Sequence, residues 1–423
     1  MGGAKATLTV PERGPPLAVD RAVDLVLAEA RRLGAETVPL NEALGRVLGE
    51  PVHSADHVPP FDNSAMDGFA VRAGDTDGTS PESPVELRLV GESRAGAPAN
   101  RRVGQGEAMR ISTGAMLPKG ADAVVRLEEA EVEGDAVAVR IAVDPGHDAR
   151  RAGEDVRAGE EVVSAGTRLG PAELGVLASV GVDEVRAVRR PAAIVLTTGD
   201  ELVPPGRGLP PGGIRNTNAF TVPAQARMAG CRVSWAATVP DDAGATQQAV
   251  SLGLGADLLV ICGGVSVGAH DHVKPVLAKL GVRERFWGIA LRPGRPTWFG
   301  VAERDDGHPT LVFGLPGNPV SAMITFHLLA RPAIAAMLGR APKPRKRIRA
   351  TLTERYEKPP GRLHVVRCTL ELREDGLHAR PTGPQGSHVL TSMLGAEALA
   401  MIEAERGDVE AGETVEVERL RYW

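Results

Sequence analysis

Three short apolar runs govern what this chain can become: AAIVLTT (192–198), ADLLVIC (256–262) and TLVFGL (310–315). Each is dense in Val, Ile and Leu without polar alternation, and each passes into a Gly-containing loop and then a helix-compatible stretch. Runs of that kind suit strands buried on both faces, and strands alternating with helices imply a parallel sheet covered on each side. Ligands of such sheets bind where the strands end at their carboxyl side. At 423 residues the chain also exceeds what one core usually organises, so further domains are expected.

Residues 19–33 set Val23, Val26, Leu27 and Ala30 on one helical face, with Gly34 placed to stop the helix. From Val52 to Pro60 the chain is Pro-rich and extended; Val85–Val90, Ala121–Leu127 and Ala136–Val143 then alternate between Gly and Pro breaks. Helical pattern returns at Pro171–Ser179, so the β region reads as an insertion into a helical domain built from both flanks. Beyond the basic linker KPRKRIRA, alternation over Leu363–Leu372 and Thr414–Glu418 points to a compact C-terminal β-barrel. The expected division is a discontinuous helical domain (1–47 and 152–187), an inserted β domain (48–151), an α/β domain (188–341) and the barrel (342–423).

Lysine and arginine total 49 against 54 aspartate and glutamate, a net charge of -5 that argues against general affinity for nucleic acid or anionic lipid. Neither an apolar run near the roughly 20 residues needed to cross a bilayer nor a signal-peptide core at the N-terminus is expected. The expectation is a cytoplasmic protein without membrane contact. Cys231, Cys262 and Cys368 fit neither a disulfide framework nor a CxxC zinc site and read as buried thiols. Aromatic residues make up 3%, which leaves few rings to stack on bases or a flavin.

Five segments concentrate chemistry. In Pro59–Gly68, Asp62, Asn63, Ser64 and Asp67 form a loop that reads either as a capping turn or as a ligand-facing arm anchored by Phe61 and Met66. Thr197–Leu202 carries Gly199, which lets backbone amides approach an anion, and Asp200 and Glu201, which suit magnesium or a helix N-cap with an acidic first turn. Cys262–Asp271 supplies Gly263, Gly264, Ser266 and Gly268 around a strand end, with Asp271 and Lys274 opening the next helix; the loop can wrap phosphates or a flat ring, and phosphate is the expected ligand. His270 and His272 lack a third ligand in spacing, so a zinc site is rejected. Arg292 and Arg295, held by prolines, suit an oxyanion or form a basic turn in water. In Gly314–Ser321, Asn318 suits an N-cap and Pro319 the first helical position, and the free amides favour an anion near Pro316, Gly317 and Ser321. The second, third and fifth segments all fall at carboxyl ends of strands in one sheet, which is the main argument for a single site.

The segments PPFDNSAMDGFAV, RISTGAMLPKGADAVV, RAGEDV, TTGDEL, GGVSVGAHD, LRPGRP and GLPGNPVSA, in this order, resemble those of the molybdopterin molybdenumtransferases, the family of MoeA and the gephyrin E domain. The resemblance implies a multidomain α/β plus β protein: a two-part helical domain, an inserted β domain, a MogA-like three-layer α/β domain with a parallel-rich sheet, and a C-terminal β-barrel. It implies an elongated homodimer whose active cleft is shared between subunits, and a reaction that takes adenylylated molybdopterin and molybdate, with Mg2+, to molybdenum cofactor and AMP. Asp67, Thr113, Asp155, Asp200, Glu201 and Asp271 match positions linked to activity in that family. Asp200 and Asp271 would then hold the magnesium, and Arg292, Arg295 and Ser321 would receive molybdate. Transient contact with molybdopterin adenylyltransferase is a further expectation. Some relatives carry lysine where this chain has Gly288, Arg292 and Arg295. The rival expectations are adenylyltransferase activity, which would need neither the N-terminal arm nor the barrel, and a non-catalytic gephyrin-like scaffold.

Overall fold

Helix α1 (Val19–Glu29) forms where the apolar spacing predicts it and buries Val19, Ala22 and Val26 on one stripe. Extended Ala30 ends it (φ -76°, ψ 114°) well before Gly34, whose carbonyl instead accepts from the Arg189 amide. The expected glycine stop is therefore corrected. The computed structural model describes residues 15–265, 272–340 and 347–420. Two compact units emerge, Thr37–Ala187 and Met1–Glu36 with Val188–Trp423.

In the unit Thr37–Ala187, six strands make one sheet: β1 (Gly68–Val71), β2 (Val85–Ser93), β3 (Glu107–Ile111), β4 (Ala123–Arg126), β5 (Ala130–Glu133) and β6 (Ala136–Val139). Their order is β4-β1-β3-β2-β6-β5, antiparallel except for β2 with β3. Period-two alternation sends Phe69, Val71, Leu87, Val125, Val137 and Val139 into one core, and Ala70, Ile111 and Val124 into another on the opposite face. Gly68 is required for strand approach, since a Cβ there would stand 2.0 Å from the Val125 carbonyl oxygen. Helix α2 (Pro171–Ser179) opens on Pro171, and the Glu173 carboxylate accepts from the Gly170 amide at 2.8 Å. Its Leu177 joins Val38, Leu48, Leu169 and Val185 in a separate core.

The second unit is built on the three apolar runs. Its central sheet contains β7 (Ala192–Thr198), β8 (Arg232–Val239), β9 (Leu258–Cys262), β10 (Arg283–Trp287), β11 (Trp298–Ala302) and β12 (Thr310–Leu315) in the order β8-β7-β9-β12-β11-β10. The first four strands in that order run parallel, and β11 alone runs against them, pairing antiparallel with β12 and β10, because the connections flanking β11 are too short to carry a crossover helix. Alternate residues serve opposite faces: Ile194, Leu196, Leu259, Ile261 and Val312 pack with α4 (Ala243–Gly253) and α5 (Val273–Lys279) through Val250, Val273, Val276 and Leu277. Helix α3 (Asn218–Ala229) covers β7 and β8 and touches α6 (Pro319–Thr325) and α7 (Arg331–Met337).

A π-helical turn, Phe326–Ala330, joins α6 and α7 into one helix, Pro319–Met337, long and apolar enough by length and composition to cross a membrane, which corrects the expectation that no run nears that length. With 72% of its window buried inside the protein, it is packed as a core helix. Strands β13 (Arg347–Leu352), β14 (Leu363–Arg373), β15 (Gly376–Pro381), β16 (Ala398–Ile402) and β17 (Thr414–Arg419) close into a ring in the order β14-β15-β13-β17-β16, with β16 returning to β14. The barrel is filled by small and branched side chains, among them Ala350, Leu352, Val366, Ala400, Val415 and Val417. Cys231, Cys262 and Cys368 are free and buried, as expected of packed thiols.

Candidate functional site

Strands β7, β9 and β12 stop in register: Thr197 lies opposite Cys262, and Cys262 opposite Leu315. The loops opened by Gly199, Gly263 and Pro316 therefore leave one edge of one sheet. The Gly263 amide donates to the Leu315 carbonyl at 3.1 Å, and a Cβ on Gly317 would stand 3.9 Å from Gly263 Cα. Gly263 (φ 93°) and Gly264 (φ 61°) take left-handed backbone angles. A Cβ on Gly263 would meet the Thr198 carbonyl oxygen at 2.8 Å, and one on Gly264 would meet Val273 Cγ2 at 2.6 Å. Next to both glycines sits Thr198 Oγ1, buried and without a hydrogen-bond partner among the described residues. A buried hydroxyl in that state calls for a further partner. Sequence reasoning passed over Thr198; its signal is a polar residue closing an otherwise apolar strand.

The loop after β7 departs from expectation. No helix follows Asp200; a turn closed by the Leu202 amide on the Gly199 carbonyl leads to the two-residue strand Leu202–Val203, paired with Ile214–Arg215. Pro204 and Pro205 explain this, since neither can donate to a helix. The N-cap alternative for Asp200 is thus corrected. Asp200 is exposed and one of its oxygens accepts from the Asp241 amide at 3.0 Å. Glu201, also exposed, folds back so that its Oε2 lies 2.5 Å from where a Gly199 Cβ would be.

Ser266, Gly268 and Asp271, with His270, lie outside the described residues. Lys274 sits in the first turn of α5 with Nζ 5.2 Å from the centre of the Trp287 ring, whose Nε1–H donates to the Val265 carbonyl at 2.8 Å. Trp287 thereby braces both ends of the glycine loop, a role invisible in sequence. Among the described residues no three His, Cys, Asp or Glu gather as a metal site.

Arg292 and Arg295 are exposed, and neither makes an ion pair or side-chain hydrogen bond with a described residue. Their turn is anchored by Gly294, where a Cβ would stand 2.5 Å from Thr325 Cγ2, and by the Thr297 hydroxyl, which donates to the Gly294 carbonyl at 2.6 Å. Arg292 pairs in register with His364 of the barrel. Burial first, then the charges of Lys358, Arg292 and Arg362, push the His364 imidazole down to about 4.

Asn318 holds the N-cap position of α6 without capping it; its Nδ2 donates instead to Ser387 Oγ at 3.0 Å, and the Val320 amide donates to the Ser387 carbonyl. The expected Asn318 side-chain cap is corrected: a barrel loop distant in sequence supplies it. Pro319 takes the first helical turn as expected. Pro316 and Ser321 are buried, and the Gly317 carbonyl accepts from Asn218 Nδ2 at 2.8 Å.

In the unit Thr37–Ala187, the Asp67 carboxylate accepts from the Thr113 amide at 2.7 Å and its carbonyl from the Leu127 amide at 3.2 Å. Asp67 and Thr113 are exposed, so the pair presents one fixed carboxylate to solvent. Asp155 is exposed on the Arg151–Val156 loop, its amide bonded to the Val58 carbonyl. Three details differ from the sequence reading. Ser64 is fully buried, with its hydroxyl donating to the Met66 carbonyl at 2.5 Å. Met66, expected to anchor the loop, is 38% exposed. Asp62 is engaged rather than free: the Ala152 amide, then the Arg151 guanidinium, both at 2.8 Å, hold its carboxyl below the ordinary range.

Against this geometry, residues 17–181 match the family model described as MoeA N-terminal region (domain I and II), 194–336 that of a probable molybdopterin binding domain, and 349–420 that of MoeA C-terminal region (domain IV). The chain is 38% identical to a molybdopterin molybdenumtransferase of Haemophilus influenzae over 94% of its own length and 99% of that protein's. It is 35% identical to one from Bacillus subtilis over 97% and 95% of the two chains. A crystal structure of a molybdopterin biosynthesis MoeA protein from Pyrococcus horikoshii is similar at a TM-score of 0.81 and 33% identity, over 96% of this chain and 100% of the other.

Proposed function

The chain belongs to the molybdopterin molybdenumtransferase family, and from that premise we propose that it performs the final step of molybdenum cofactor biosynthesis: molybdate enters the dithiolene of adenylylated molybdopterin and AMP leaves. The observation that carries the reading is the sheet edge where the Gly199, Gly263–Gly264 and Pro316–Gly317 loops meet around the Thr198 hydroxyl, which has no partner among the described residues. Glycine backbone set that close suits a phosphate-bearing ligand.

In this reading Thr198 donates to the ligand and the Gly264 amide orients its phosphates, while the Gly263 amide, bonded to the Leu315 carbonyl, holds the loop in place. Arg292 and Arg295, uncommitted to any described carboxylate, receive molybdate as bidentate forks. The exposed Asp200 offers the hard carboxylate oxygen that Mg2+ prefers, with Asp271 as its expected second ligand; the ion would supply positive charge where the anhydride's bridging oxygen becomes negative. Asp67, fixed by Thr113, and Asp155 would reach the cleft from the second subunit of a homodimer. Cytoplasmic location, transient contact with molybdopterin adenylyltransferase and the four-domain division belong to the same proposal.

Purified protein given adenylylated molybdopterin, molybdate and Mg2+ should release AMP only when molybdate is present, and Asp271→Ala should abolish it. Adenylylation of free pterin by ATP would move the assignment to adenylyltransferase, and inactivity with an intact fold would leave the scaffold. Mixed dimers of Asp67→Ala with Asp271→Ala should recover part of the activity; no recovery would refute sharing.

A further inference from the structure

Among the described residues Asp148 is the one residue other than glycine with positive φ, at 46°. L-residues take that conformation at a cost, and such cost gathers where neighbours fix a functional segment. The neighbours are identifiable. Arg126, at the end of β4, grips the Asp148 carboxylate with both arms of its fork, Nε to Oδ2 at 2.7 Å and Nη2 to Oδ1 at 3.2 Å. His147 Nε2 lies 3.5 Å from the same Oδ2. The Asp148 carbonyl accepts from the Ala65 amide at 2.8 Å, and the next residues, Ala149 and Arg150, pair with Ser64 and Asn63. On the other side of the loop, Arg126 pairs with Gly68, and Leu127 donates its amide to the Asp67 carbonyl.

One guanidinium thus joins the two backbone segments that hold the Asn63–Gly68 loop at either end. We infer that Arg126 and Asp148 are positioning residues: their bidentate pair, with Asp148 locked in the left-handed conformation, sets where the Asp67 carboxylate points. The inference rests on the proposed molybdenum insertion, in which Asp67 acts. Both partners are tuned for the pair, since hydrogen bonding to Arg126 first, against some burial, holds the Asp148 carboxyl below its ordinary range and the same contact raises Arg126.

Three variants test it: Asp148→Val, which resists positive φ and removes the acceptor; Arg126→Gln, which leaves residue 148 unchanged; and Asp148→Asn, which tolerates positive φ and keeps an acceptor. Molybdate-dependent AMP release should fall in kcat by about tenfold or more in the first two, with KM for molybdate within about twofold, because misplacing a group by an ångström costs rate rather than binding. Asp148→Asn should fall by only about threefold, since the backbone angle and one of the two acceptor oxygens survive while the second bond of the fork is lost. Hydrogen exchange of the peptide containing Ala65 should quicken in the same two variants and not in Asp148→Asn. If Asp148→Val fails to fold, Arg126→Gln carries the test. Wild-type kcat in Arg126→Gln, a loss in Asp148→Asn as deep as in Asp148→Val, or unchanged exchange at Ala65 would each overturn the inference. If the wild type itself releases no AMP, the assigned reaction fails, and the exchange experiment alone still judges the clamp.

Discussion

Gly263→Ala places a methyl group against atoms that cannot retreat. Its Cβ would lie 2.8 Å from the Thr198 carbonyl oxygen and 2.9 Å from Thr198 Oγ1, on a backbone with φ of 93°. The left-handed angle costs a side-chain-bearing residue about 1–2 kcal/mol and the overlap with strand backbone about 1–3 kcal/mol more. The loop escapes that strain by leaving its present course, and a ligand that needs the course must restore it. At 1.4 kcal/mol per decade, a penalty of about 2–5 kcal/mol weakens binding between roughly 30-fold and a few thousand-fold. Gly255→Ala is the control, because it precedes β9 at the opposite edge of the sheet and its Cβ would meet nothing nearer than 3.5 Å. There the change in affinity should stay within about threefold, since ordinary van der Waals contact carries no strain. Equilibrium titration with adenylylated molybdopterin reads both, and a thermal melt shows whether each variant is folded. Should Gly263→Ala bind within threefold of wild type, the sheet edge is not where the ligand sits.

Asp257 is 2% exposed and ties together Arg189, Arg304 and the Ala192 amide. Burial alone would raise its carboxyl, but Arg189, the Ala192 amide and Arg304 outweigh it and hold the group below its ordinary value. A depressed carboxyl stabilises above the unfolded value near 3.9 and loses that contribution as pH falls through the folded one, so Asp257→Asn should cost about 3–5 kcal/mol at pH 6 and progressively less below pH 4. Urea unfolding across that range tests this; a deficit that persists undiminished in acid refutes it. Burial pushes the thiols of Cys231, Cys262 and Cys368 up to about 12. Native protein at pH 8 should therefore leave a disulfide reagent unconsumed, and denatured protein should consume three equivalents; rapid native reaction would contradict the packing.

The strands of the second unit were legible because a run such as AAIVLTT has few other ways to bury itself, and their shared edge followed from the chain order of strands and helices. What escaped were contacts made at a distance. The Asn318 amide finds Ser387, and no local pattern announces that partner. Ser64 and Met66 stand two residues apart in a polar loop, yet the serine is interior and the methionine exposed, because the Ser64 amide and carbonyl are both taken by residues 114–115. The reversed strand β11 was missed as well, since periodicity reports how buried a strand is and not which way it runs. The turn after Asp200 was readable in hindsight from Pro204 and Pro205, whose missing amides outweigh any cap.

The closed barrel imposes an order on how the protein is made. Strand β17 seals the ring by pairing with β13 and β16, yet it is the last of the five to be synthesised. Until it leaves the ribosome, two raw flanks of a half-finished cylinder lie open to any neighbouring nascent chain. A premature stop anywhere between the fourth and fifth strands should thus hand quality control an adhesive fragment rather than a slightly shortened enzyme.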